Sequence, residues 1–273
     1  MDNDKKLILP YELPGNLDLL NKHEEEICKK SIFEIKKSEK LSDHLEIVHE
    51  SLNLLYFLSH DYRHQTDDDL TVQCLGTRMF NSTVSSLKLL LAGYYQSSLM
   101  FQRDVMETWF LLDFFTIDQS EISIWKSCSN KERKKSYAPW KIRSALDERD
   151  GFTGQERRER YEQLCEYAVH PSYAGFKLLA PDGLVKIGPF FHFNFLSQYL
   201  EVLALFILNG SMIYTYHFPL KKLPVGVLGS LLKPFLGRHI DFLDKVARWS
   251  GKYYELHIGH YDISEIRGLM ESL

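Results

Sequence analysis

Only four cysteines occur in 273 residues, and Cys28, Cys74, Cys128 and Cys165 lie far apart with no CxxC pair. That spacing argues against a disulfide framework and suits free thiols in a reducing cytoplasm. There is no GxxxxGK loop, GxGxxG turn or GxSxG elbow. Nucleotide hydrolysis on a glycine-rich loop and serine esterase chemistry therefore have no support. No HExxH occurs either. His60 and His64 stand beside Asp61 and before Asp67, Asp68 and Asp69, and His257 and His260 precede Asp262. Neither spacing fixes a third ligand, so no metal and no cofactor is expected. The opening MDNDKKLILPYELPGN lacks the charged-then-apolar layout of a signal peptide. A net charge of −4 argues against a protein coated in nucleic acid and leaves room for a local basic face.

What is present is an ordinary soluble composition, 44% hydrophobic, 26% charged and 13% aromatic, enough to build a sizeable core. Residues 1–20 read as an irregular arm with two prolines, and 21–273 as one mostly α domain. Its periodicity predicts a bundle of about seven to nine helices with one small β-hairpin near 176–187. Helices are expected over 21–40, from about 42 onward, and over 70–117. In that last stretch Gly93 marks either a turn or a close contact inside one long helix. Further helices are expected around 120–127, on both sides of Pro139, and up to Val169, where His170-Pro171 stops the pattern. Pro181 and Gly183 fit a type I turn at the tip of the hairpin. Phe195–Tyr216 is about long enough to cross a bilayer. Ser197, Gln198, Glu201 and Asn209 interrupt it, so it reads as a buried core helix with no membrane span. A last helix is expected over 235–256.

The polar residues in apolar surroundings are the candidates for function. Arg103 and Glu107 stand at i, i+4 in AGYYQSSLMFQRDVMETWFLLDFF, with Gln96 on the same stripe. Arg before Glu is the weaker orientation for helix support. The pair therefore reads either as a buried ion pair that fixes register or as a polar pocket floor. His170 is either a helix-closing residue at the negative end of the dipole or a general acid or base. Cys165 falls with Tyr161, Leu164 and Ala168 on one apolar face, where thiols are inert. From Lys131 to Arg143 six basic residues face one acidic one, with Tyr137 and Trp140 interleaved. Lys134, Lys135, Trp140, Lys141 and Arg143 thus offer phosphate and stacking contacts to RNA, or else form a solvated helical face.

Gly93, Arg103 and Glu107, then Tyr161, Leu164, His170 and Pro171, resemble the two signatures of a broad bacterial all-helical family of unknown function, over roughly residues 85–190. The resemblance implies a bundle with Arg, Glu and His facing one pocket. That family in turn is similar to HEPN domains, helical bundles that include ribonucleases in bacterial defence. HEPN ribonucleases place His shortly after Arg. Here Arg160 and His170 have nine residues between them, and no catalytic residue is carried over. Two functions are expected. One is a cytoplasmic interaction or regulatory module with a central polar pocket of Arg103, Glu107 and His170, flanked by Gln96 and Tyr161. It would bind a protein partner or a second copy, and the resemblance implies a role in bacterial stress or phage defence. The other is an RNA-directed enzyme in which His170 is the acid/base and Arg103 stabilises a phosphate.

Overall fold

The computed structural model describes residues 15–154, 156–218 and 228–254, which are mostly helical and form no strand. Helix α1 spans Gly15–Lys37, so residues 15–20 of the expected arm are helical. Residues 1–14 lie outside the described residues. Ser38 caps α2 (Glu39–Tyr56) by accepting from Leu41 N at 3.3 Å. The aspartates of HQTDDDL open α3 (Asp67–Leu91) through a capping box. Thr66 Oγ1 accepts from Asp69 N, and Asp69 accepts from Thr66 N.

Gly93 is a turn. It takes φ +87° between α3 and α4 (Tyr95–Ile117). A Cβ there would stand 2.3 Å from the Phe190 carbonyl oxygen. The turn makes the two helices antiparallel, as their side chains record. Ser86 meets Ser98 at 2.9 Å, Ser82 donates to Asp104 at 2.6 Å, and Arg78 reaches the same Asp104. After α4 come α5 (Ser120–Ser127), α6 (Asn130–Ser136), α7 (Pro139–Asp150), α8 (Glu156–Leu164) and the single turn α9 (Tyr173–Phe176). With α10 (Phe193–Tyr216) and α11 (Leu228–Tyr253) the described residues hold eleven α-helical segments. The excess over expectation lies in short pieces. The turn α9, for instance, forms where Ser172 caps the chain by accepting from Gly175 N at 3.0 Å.

The hairpin expected near 176–187 does not form. The turn itself is there, with Gly183 N donating to Ala180 O at 3.1 Å, but pairing is limited to Lys186 N on Leu179 O at 2.8 Å. A two-stranded ribbon needs an apolar face to pack, and Leu184, Val185 and Ile187 all stay exposed.

Helix α10 packs against α2, α3 and α4, and Leu200, Leu203, Ala204 and Ile207 are fully buried. By length and composition it passes as a membrane span, and more than half of its most apolar stretch is buried inside the protein. Its Glu201 accepts from Lys40 and from Tyr254 Oη, each at 2.8 Å. Beside it His44 is wholly buried between α2, α10 and α11. Its Nδ1 accepts from Trp249 Nε1 at 3.0 Å. That bond puts the ring proton on Nε2, 3.7 Å from Glu201.

Two measurements check this arrangement. Gly93→Ala should destabilise by roughly 2–4 kcal/mol in urea unfolding, since it combines a positive φ with a clash against backbone. A loss under about 0.5 kcal/mol would contradict the turn. Burial lowers the His44 pKa from 6.5 to about 4, against the opposing pull of Glu201. Burial lowers His239 to about 4 as well. The unfolded chain therefore binds protons that the folded one refuses between pH 6.5 and 4. Stability should be flat above pH 7 and fall as pH drops through that window. His44→Gln, which keeps an acceptor for Trp249, should make the fall shallower. A profile flat from pH 7 to 4.5 would refute the assignment.

Candidate functional site

Six of the nine residues of α8, ERRERYEQL, are charged. Such a helix has no apolar stripe to bury, so it must be held another way. Arg157 binds Asp147 at 2.5 Å and also binds Asp150, both on α7. Tyr161 does the rest. Arg103 Nη2 donates to Tyr161 Oη at 2.6 Å and to Glu107 Oε1 at 2.8 Å, and Tyr161 Oη donates to that same Glu107 oxygen at 2.8 Å. The three groups close a triangle between α4 and α8. The expected Arg103–Glu107 pair is formed, with side chains 23% and 33% exposed, so it lies at the edge of the core.

Burial pushes the Tyr161 pKa up to about 12, reinforced by Glu107 and opposed by Arg103. The phenol therefore stays a neutral donor at physiological pH. Burial acts to lower the Arg103 pKa, but the Tyr161 and Glu107 contacts outweigh it and the net shift is upward.

A second guanidinium joins the cluster. Arg143 lies 3.9 Å from the Tyr161 ring centroid, on the aromatic face. It is only 7% exposed, and its Nε and Nη1 have no hydrogen-bond partner among the described residues. Asp147, one turn along α7, is engaged by Arg157 instead. The basic stretch is thus divided. Arg143 and Tyr137 turn inward, and Arg133 caps α5 through the carbonyls of Trp125 and Cys128 at 3.3 Å. Lys131, Lys134, Lys135 and Trp140 face solvent, with Lys141 Nζ 5.5 Å from the Trp140 ring. The sequence held a signal for Arg143, which lies between Ile142 and Leu146, both buried.

Gln96 and His170 meet the same element in different ways. Helix α8 runs into a π-helical turn, Cys165–Val169, closed by His170 N on Cys165 O at 2.9 Å. The helix stops at Val169 as Pro171 dictates, and His170 takes an extended backbone. A π turn leaves carbonyls short of partners, and Gln96 Nε2 donates to Tyr167 O at 3.3 Å. Gln73, which the sequence reading passed over, does the same at the π turn Phe57–Asp61, reaching Leu58 O and Tyr62 O at 3.1 and 2.7 Å. The His170 residue is exposed, and no hydrogen bond or ion pair joins its ring to Arg103 or Glu107 among the described residues. The structure brings together Arg103, Glu107, Tyr161 and Arg143, bonds Gln96 of α4 to the π turn instead, and leaves His170 exposed beyond that turn.

A cavity of about 580 Å³ opens between α8, its π turn and α10. Leu99, Tyr167, Phe195, Tyr199 and Phe206 wall it, and Arg160 and Lys177 line it as well. No spacing rule in the sequence brings these segments together. No group of His, Cys, Asp or Glu among the described residues could hold a metal ion. His257, His260 and Asp262 lie outside them. Neither a protein-family model, nor a curated protein, nor a solved structure matches the chain.

Tyr161→Phe keeps the ring under Arg143 and deletes both hydroxyl bonds. It should cost about 1–3 kcal/mol in urea unfolding, as bonds to charged groups do. Glu107→Ala should cost about 1–2 kcal/mol, below the 3–5 typical of a fully buried pair, because water reaches its side chain. If Tyr161→Phe and Arg103→Met prove additive in a double-mutant cycle, the triangle does not couple α4 to α8.

Proposed function

We propose that the chain is a cytoplasmic interaction or regulatory module that binds a protein surface, in the first place a second copy of itself. One observation carries this reading. Segment 173–187 exposes Tyr173 (84%), Phe176, Leu184, Val185 and Ile187 (96%) within fifteen residues. Apolar side chains gathered like this mark interaction surfaces more often than chance exposure. In this reading the Arg103–Tyr161–Glu107 triangle positions α8 and performs no chemistry. What supports that is mutual engagement: the guanidinium, phenol and carboxylate each bond the other two, and of their buried polar atoms only Arg103 Nε is left without a partner among the described residues. A general base needs reach to a reacting proton, and the His170 ring has no partner in the triangle. Helix α10 is read as a core helix with no membrane span. A role in bacterial stress or phage defence, and the distant HEPN likeness, belong to the same proposal through the resemblance alone.

The second reading is RNA binding, with His170 as acid/base. It draws on Lys131, Lys134, Lys135, Trp140 and Lys141 at the surface, and loses Tyr137 and Arg143, which are buried.

Light scattering after gel filtration, at high micromolar concentration, tests the first reading. The wild type should run as an assembly larger than one chain, and the double variant Val185→Asp/Ile187→Asp as a monomer with an unchanged melting curve. A monomeric wild type would end the self-association reading. Fluorescence anisotropy with single-stranded RNA tests the second. Salt-dependent binding lost in Lys134→Glu/Lys135→Glu, with cleavage lost in His170→Ala, would replace the first reading by the second.

A further inference from the structure

Neither reading uses the cavity between α8, its π turn and α10. Its volume of about 580 Å³ lies within the range of small-molecule sites. Its walls are mixed but chiefly apolar. Leu99 rises from α4, Tyr167 from the π turn, and Phe195, Tyr199 and Phe206 from α10. Tyr199 stacks on Phe195 with ring centroids 5.7 Å apart, so part of the wall is a preformed aromatic surface.

The charges are what single the cavity out. Most arginines nearby are paired: Arg157 with Asp147 and Asp150, Arg149 with Asp113, Arg158 with Glu162. Arg160 and Lys177 differ. Both line the cavity and are exposed, and neither has an ion pair among the described residues. No carboxylate lines the cavity with them. Two unpaired cations beside an apolar chamber form an electrostatic and solvation match for one kind of molecule. A π-helical turn supplies one wall, and such turns concentrate at functional sites because the extra residue re-aims its neighbours. Burial, with Tyr167 adding to it, pushes the Tyr199 pKa up to about 12, which keeps its hydroxyl a neutral donor.

We propose that this cavity binds an organic anion with an apolar body, its carboxylate or phosphate held by Arg160 and Lys177 and its body against Leu99, Phe195, Tyr199 and Phe206. The site shares Lys177 and Leu178 with segment 173–187 but uses none of the exposed apolar side chains of the interaction reading, and it does not depend on that reading. The body is either an acyl chain or a fused aromatic system, and two probes separate these sources.

Isothermal titration calorimetry on the full chain decides the matter, with sodium decanoate as the acyl probe, 2-naphthyl phosphate as the aryl probe and neutral 2-naphthol as the control. At least one anion should bind saturably at one per chain, and naphthol at least about tenfold more weakly than naphthyl phosphate if the aryl probe is the ligand type. Decanoate alone binding identifies the acyl class, and naphthyl phosphate alone the aryl class. Arg160→Glu/Lys177→Glu should weaken the binding anion by at least about tenfold with an unchanged melting curve. Val202→Trp, which fills the chamber, should abolish binding. If that variant misfolds, the charge-reversal pair decides alone. Failure of both anions to saturate, or binding undiminished in the charge-reversal pair, would overturn the proposal. Either result would leave the light-scattering test of self-association unaffected.

Discussion

The Tyr161 hydroxyl sits between a guanidinium and a carboxylate of another helix, and the outer wall of the molecule hangs from it. Helix α8 carries six charges in nine residues and gains little from hydrophobic burial. Its position therefore rests on directional contacts: the triangle with Arg103 and Glu107, the Arg143 guanidinium on the Tyr161 ring, and the Arg157 pairs to α7. Only below Tyr161 does apolar burial take over, at Leu164 and Ala168. Directional bonds fix a geometry more narrowly than burial does, at the cost of desolvating each polar group.

Polar groups inside the bundle are handled by the same logic. Between α3 and α4, Ser86 and Ser98 bond each other's hydroxyl and carbonyl groups, and Gln102 donates to Tyr199 O at 3.1 Å. Glu201 sits in the most apolar helix of the described chain and is tolerable there because Lys40 and Tyr254 engage it. His44 remains neutral beside it, with Trp249 as donor. Lys252 and Tyr253 both reach Asp43 at 2.7 Å, so the end of α11 is tied to α2 by polar contacts around a buried histidine.

Much of the helical order was legible because it depends on local signals. Gly93, Pro139 and His170-Pro171 each mark a real boundary. The hairpin was misread because turn chemistry at Pro181–Gly183 says nothing about whether a sheet face finds something to pack on. The Arg103–Glu107 contact follows from i, i+4 spacing alone, whereas its third member, Tyr161, lies 54 residues from Glu107. Arg143 was read as a basic residue and missed as a buried one, since charge counting along 131–143 passes over its apolar neighbours Ile142 and Leu146. The cavity and the His44–Glu201–Trp249 contacts join three helices distant in sequence, and no local pattern encodes them.

The π turn at Cys165–Val169 can be viewed as a helix carrying one residue too many. An α-helix advances each residue by about 100° of rotation, so an extra residue displaces everything after it around the axis by that amount. Upstream of the turn, Tyr161 is in phase with Arg103 and Glu107. Downstream, the added rotation carries the chain into α9, where Gly175 packs 3.0 Å from the Tyr167 carbonyl, measured from where a Cβ would stand. The offset thus sets the direction in which the helix ends at Val169: the turns before it are locked to α4, and the chain after it leaves toward α9. A chain with a regular helix here would have to give up one of those two registrations.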